Sequence, residues 1–242
     1  MGTDIHSRFE VRTPEGWRCI LNTNPTEDDI RRHQWAVEDA KEEDKGVPPM
    51  YLEYADRNYN LFVILAGVRN GYGFAGVKTG NGFEPIAADR GVPDDASEEF
   101  KELNAQWGGD GHAATWVTLA EILDPTWQGK RVTLYGIVSK GEYLKWRELN
   151  AGRDPDHLIP PDSYCGGIWG STTKVVSLQE ADAHMAEGDV TLTGETAFTH
   201  VRLEWTQTYR ESVRWFMEWV EGVLLPLGHP PDQVRMCMFF DN

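Results

Sequence analysis

The sequence predicts an α+β fold: a single domain, residues 1–242, with a mixed or antiparallel sheet, packed helices and long loops. Three observations predict it. Two stretches alternate with the two-residue period of a strand. At the start, Ile5, Ser7, Phe9 and Val11 oppose Asp4, His6, Arg8, Glu10 and Arg12; near the end, Val201, Leu203 and Trp205 oppose Phe198, His200, Arg202 and Glu204. A third stretch, 208–225, has helical spacing in Val213, Phe216, Met217, Val220, Val223 and Leu224, with Trp215 and Trp219 four apart. No repeat, low-complexity tract or linker divides the chain, so helices packed on one sheet are expected.

Each element has a local cause. Thr13-Pro-Glu-Gly16 reads as a turn that returns the first strand through Trp17–Leu21. Thr26 caps a helix whose first turn is acidic, and Gly46-Val-Pro-Pro49 stops it. Residues 60–68 are apolar on every side and run into Arg69-Asn-Gly71, which suggests a buried helix with a glycine stop, with a core strand as the alternative. Glycines recur from Gly67 to Gly82, but Lys78-Thr79 sits at the wrong distance for a phosphate-cradling loop, so this stretch reads as a flap. Asp95-Ala-Ser97 caps a short helix over 98–104, and 114–117 forms a strand. Thr118-x-x-Glu121 and Ser139-x-x-Glu142 are capping boxes on either side of a strand at 131–138, the second opening a helix to about Leu149. The Pro-, Gly- and Asp-rich 150–170 segment has no period and reads as a long loop of the kind that forms lids or binding segments. A strand at 174–178, a helix at 179–186 and a last strand at 234–240 complete the chain.

The bulk properties narrow the function. A net charge of −16 argues against a nucleic-acid partner, which would call for lysine and arginine at the phosphates. A few local arginines can still make an anion pocket. Three cysteines with no C-x-x-C spacing exclude a zinc ribbon and suit a reducing compartment. Neither a secretory signal nor a membrane span is visible, so a soluble cytoplasmic protein is expected.

Two Asp-x-His pairs stand out: Asp4-Ile-His6 with Glu10 on the same strand face, and Asp110-Gly-His112. If they meet in one pocket, two chemistries follow. In the first, Arg69, Arg90 and Lys78 meet the charge of a phosphorylated or nucleotide-like small molecule. Asp4, His6, Glu10, Asp110 and His112 then bond its sugar or base, and Trp107 or Trp116 stacks on it. In the second, Asp4, His6, Asp110 and His112 hold a divalent metal for a hydrolase or phosphodiesterase, with Glu10 as general base. A purely structural reading has the same residues satisfying strand ends and loop amides. A third function class is an acidic protein-interaction module.

Several short blocks recur in a familiar order: Met1-Gly-Thr-Asp-Ile-His6 with Glu10, Leu61–Asn70, Arg90-Gly-Val-Pro93, Asp110-x-His112 with Trp116-Val-Thr-Leu119, and Phe240-Asp-Asn242. In this order they resemble a family of uncharacterised bacteriophage and bacterial proteins that usually opens Met-Gly-Cys-Asp-Ile-His. The resemblance runs the length of the chain and implies a phage or bacterial origin more than a chemistry. By analogy with such an origin, a nucleotide-binding accessory protein would sequester a host immune signal in the host cytoplasm. Thr3 stands where the family usually has cysteine, and Ala113 where it often has serine, so a thiol at position 3 and a serine hydroxyl at position 113 are both missing here.

Overall fold

The structure is a computed structural model that describes residues 2–42, 46–69, 82–188 and 196–241. Its strands are β1 (Ile5–Thr13), β2 (Gly16–Cys19), β3 (His112–Thr118), β4 (Arg131–Ser139), β5 (Val175–Ser177), β6 (His200–Thr208) and β7 (Val234–Phe240). Its α-helices are α1 (Glu27–Glu42), α2 (Tyr59–Ala66), α3 (Glu98–Trp107), α4 (Leu119–Ile122), α5 (Pro125–Gln128), α6 (Lys140–Leu149), α7 (Leu178–Ala186), α8 (Tyr209–Ser212) and α9 (Arg214–Trp219). This is the expected α+β class, with one antiparallel sheet, β2-β1-β7-β3, and one mixed sheet, β4-β6-β5.

The chain folds as two compact units. One takes the described residues of 58–85 and 125–220 with the chain start; the other takes those of 3–57, 86–124 and 221–242. Each unit is assembled from three separate stretches, which is why no single linker is visible in the sequence.

In the second unit the last strand is the middle of the sheet. β7 pairs with β1 from Ile5↔Phe240 to Val11↔Val234, and with β3 on its other side. All seven β7 residues are buried, which accounts for the unbroken run Val-Arg-Met-Cys-Met-Phe-Phe: both faces of a central strand are covered. Ala96, just before α3, and Phe100, Leu103 and Trp107 of α3 pack with Cys237 and Phe239 on one face. Each such buried phenylalanine contributes about 1.5–3 kcal/mol. The outer edge of β3 is strapped by the 86–90 loop: Thr115 Oγ1 donates to the Ala87 carbonyl, and Arg90 Nη1 donates to the Trp116 carbonyl at 3.1 Å.

In the first unit, α2 is capped by Asn58, whose side chain accepts the Leu61 N–H at 3.2 Å, and it ends on Gly67 at φ 73°, a left-handed conformation that favours glycine. Leu61–Ala66 are all buried, as the all-round apolar run requires. Two expectations need correction. Residues 208–225 are not one helix: the Thr208–Glu211 capping box starts α8, Val213 leaves helical geometry at φ −124°, ψ 29°, and α9 gives way to a π turn over Val220–Leu224. Within this unit the expected stripe of Val213, Phe216, Met217 and Val220 stays buried through the break, whereas Val223, beyond it, is exposed. Trp215 is 63% exposed and lies under the Arg214 guanidinium at 4.4 Å. The second correction is the capping box at Ser139. Its hydroxyl accepts the Glu142 N–H at 3.1 Å, but the Glu142 carboxylate turns to the Asp162 N–H at 2.6 Å.

That second bond helps pin the long 150–170 loop. Asn150 and Ile159 exchange side-chain-to-main-chain bonds, Trp146 Nε1 donates to the Ile159 carbonyl, and Cys165 pairs with Ile137 of β4. This stretch is fastened to α6 and β4 rather than poised as a lid.

Candidate functional site

Strand register decides which candidate residues meet. His6 is opposite Phe239 and His112 is opposite Phe240, neighbouring positions on one strand. Side chains alternate along β7, so the two imidazoles lie on opposite faces of the sheet. The expected shared pocket is not formed. The register between β3 and β7 shifts between His112 and Thr115, where Ala113 takes φ 51°. His112 Nδ1 is buried with no hydrogen-bond partner in the described structure, and Asp110 is exposed at the end of the 3-10 turn that follows Trp107.

His6 meets a different carboxylate. Its Nε2 lies 3.2 Å from Asp241 Oδ2, one residue beyond β7. Asp241 Oδ1 accepts the Asp4 N–H at 2.9 Å, and the Asp241 N–H donates to the Asp4 carbonyl at 3.2 Å. The His6 ring sits 4.1 Å from Trp107, tilted 40°, and 4.9 Å from Phe239 in a near-parallel stack. One side-chain edge and two ring faces therefore hold the imidazole, yet 22% of its side chain stays exposed. Beside it, Arg57 grips Asp4 through Nε and Nη2 at 2.8 and 2.7 Å, and that hydrogen bonding holds the Asp4 carboxyl below its ordinary range. Arg57 and Asp241 are the two members of this corner that sequence reasoning missed. Both are separated from Asp4 by more than fifty positions, and only the β1–β7 register brings Asp241 to it.

Glu10 is fully buried and is not placed to act as a base. Its Oε1 accepts the Ser97 N–H at 2.8 Å at the start of α3, and its Oε2 accepts Arg235 Nε at 2.7 Å. Arg235 also donates to the Asp95 carboxylate at 2.8 Å and lies over the Trp17 ring at 4.0 Å. The hydrogen bond from Arg235 holds the Asp95 carboxyl below its usual value, while burial pushes the neighbouring Cys237 thiol up. This network joins α3, β1, β2 and β7.

The remaining candidates are engaged elsewhere. Arg90 donates to both Glu121 oxygens at 3.1 and 2.7 Å and to the Ile86 carbonyl at 3.0 Å, with its guanidinium 5.0 Å from the centre of the Trp116 ring. Burial raises the Glu121 carboxyl, but the bonds from Arg90 and Thr118 outweigh it and leave the group lowered. Arg69 belongs to the other unit, at φ 62°, and lies over Tyr59 at 5.7 Å. Lys78 and the glycine-rich stretch around it fall outside the described residues. Among the described residues, no three histidine, cysteine or acidic side chains converge in a way that would hold a metal ion. Asp4, His6, Asp110 and His112 do not form a ligand set, because the two histidines face apart and Asp4 is taken by Arg57.

No protein-family model matches the chain, and neither a curated protein nor a solved structure does.

Proposed function

We propose that this protein binds a small ring-bearing ligand, a nucleoside or nucleotide, at the His6 corner of the antiparallel sheet, and holds it without turning it over. The observation that carries the reading is the His6 imidazole: fixed by Asp241, Trp107 and Phe239, yet partly open to solvent. A ring nitrogen held in one orientation beside a partly exposed indole suits the edge and face of a base. The half-exposed Asp4–Arg57 pair offers acceptors and donors to sugar hydroxyls. Arg90, assigned to phosphate from the sequence, already has its bonds satisfied internally, so ring and hydroxyls rather than phosphate carry the recognition. A phage-type accessory protein that sequesters a nucleotide signal would use such a site.

The test is a melting-temperature screen against nucleosides, nucleoside monophosphates and free sugars, followed by calorimetry. A nucleoside at about a hundred times its Kd should stabilise the fold by about 2.7 kcal/mol, a shift of several degrees. His6→Ala and Trp107→Ala should each abolish the shift, whereas Trp215→Ala, an exposed indole outside the corner, should keep it. If no compound moves the wild type, or both corner variants respond normally, the reading fails.

A further inference from the structure

The charges around the His6 corner do not balance. Two guanidiniums lie on or beside this end of β1, and each is met by a carboxylate: Arg57 by Asp4 at 2.7 Å, and Arg8 by Glu53. Two further carboxylates have no such neighbour. Asp241 bonds the His6 imidazole and the Asp4 main chain. Among the described residues, neither Asp241 nor Asp110 has a lysine or arginine partner.

Asp110 reaches the corner through its turn. A Cβ on the next residue, Gly111, would stand 3.2 Å from Trp107 Cβ and 3.3 Å from the Phe239 ring. The 108–111 turn therefore lies against the two rings that hold His6, and exposed Asp110 is one residue from that contact. Trp107 itself is partly exposed. An indole is the best ring partner for a cation, because its faces carry the negative side of the ring quadrupole. A neutral base would gain stacking alone here. A base whose ring carries a positive charge gains the quadrupole and the unbalanced carboxylates as well. Phosphate is repelled by those carboxylates, and the net charge of −16 adds to the repulsion. A compact ammonium would answer the charge but leave the stacking surface unused.

We infer, on the reading of this corner as a nucleoside site, that it selects a nucleoside whose base is itself a cation, such as one alkylated on a ring nitrogen. Trp107 and the His6 imidazole take the ring. Asp110 and Asp241 supply the countercharge, and the Asp4–Arg57 pair is left to the sugar.

The experiment is titration calorimetry on the full chain with two isomers, 1-methyladenosine, a cation at neutral pH, and N6-methyladenosine, which is uncharged. The cation should bind roughly tenfold more tightly. Raising salt from about 50 to about 500 mM should weaken the cation and leave its isomer nearly unchanged. Asp110→Asn, an exposed change, should weaken the cation about two- to fivefold and spare the isomer. Nicotinamide riboside and its reduced, uncharged form repeat the comparison on a different ring, which separates charge from the position of the methyl group. Tetramethylammonium, a cation without a ring, should not compete. In either pair, a neutral member that binds as tightly as its cation overturns the selectivity. So does an Asp110→Asn variant that treats both members of a pair alike, or competition by tetramethylammonium as strong as that of 1-methyladenosine. In the first two of these cases, binding that His6→Ala abolishes would leave the nucleoside site itself standing. Silence from every compound, the wider screen included, removes the site and its selectivity together.

Discussion

At the scale of single residues, Glu10 shows how a side chain with catalytic potential becomes structural. Its carboxylate is removed from water and accounted for by the Ser97 amide and the Arg235 guanidinium. Removing one member of a buried pair leaves the other charge uncompensated, which is more damaging than losing a surface bridge. Glu10→Ala should therefore cost about 3 kcal/mol or more, moderated by the bond Arg235 keeps to Asp95. Urea unfolding would measure this, and a loss under about 1 kcal/mol would show that the pair is not what holds α3 to the sheet. The same scale shows why the site was only half legible. Asp4-x-His6 and Asp110-x-His112 are alike as motifs, and the sequence invites their pairing. Which face each histidine occupies depends on register across β7, and a one-residue offset reverses it. The bulge at Ala113 adds a further irregularity that no local pattern announces. Trp107 was readable as a stacking residue. Asp241 was readable only as part of the closing Phe240-Asp-Asn242 block, since its role exists only after β1 and β7 are aligned.

At the scale of elements, local signals succeeded where local energies decide. The Thr118–Glu121 box, the apolar helix expected within 60–68 and the alternation of β6 are each settled within a few residues, so composition reports them directly. They failed where a neighbour competes. Glu142 leaves its capping box for Asp162, and the helix at 208–225 breaks at Val213 while keeping its apolar stripe. Gly136 marks another such competition, in the middle of β4. A Cβ there would lie 2.8 Å from the Tyr164 ring and 3.0 Å from Trp205. The glycine thus lets the 150–165 strap lie directly on the strand. Gly136→Ala should cost about 1–3 kcal/mol through this overpacking, despite the better strand propensity of alanine. Differential scanning calorimetry would register it as a lower Tm, and a neutral result would mean that Tyr164 swings aside freely.

At the scale of the whole molecule, the order of assembly follows from connectivity. The sheet of β2, β1, β7 and β3 has its first and last strands as neighbours, so its central ladder spans contacts more than two hundred residues apart. Closing so long a loop costs entropy before any pairing repays it. The β4–β6–β5 sheet lies within 131–208 and needs no such closure. This asymmetry is also why the strands were legible and their partners were not: alternation is written locally, whereas adjacency across the chain is not written at all. A chain shortened to end before β7, at Gln233, separates the two sheets experimentally. Hydrogen exchange should find the amides of β1 and β3 unprotected, because the strand that joins them is gone, while β4 and β6 keep protection from each other. Protection of β1 in the shortened chain would mean that the β1–β2 hairpin and its cover are stable alone. The central strand would then complete a preformed surface rather than create it.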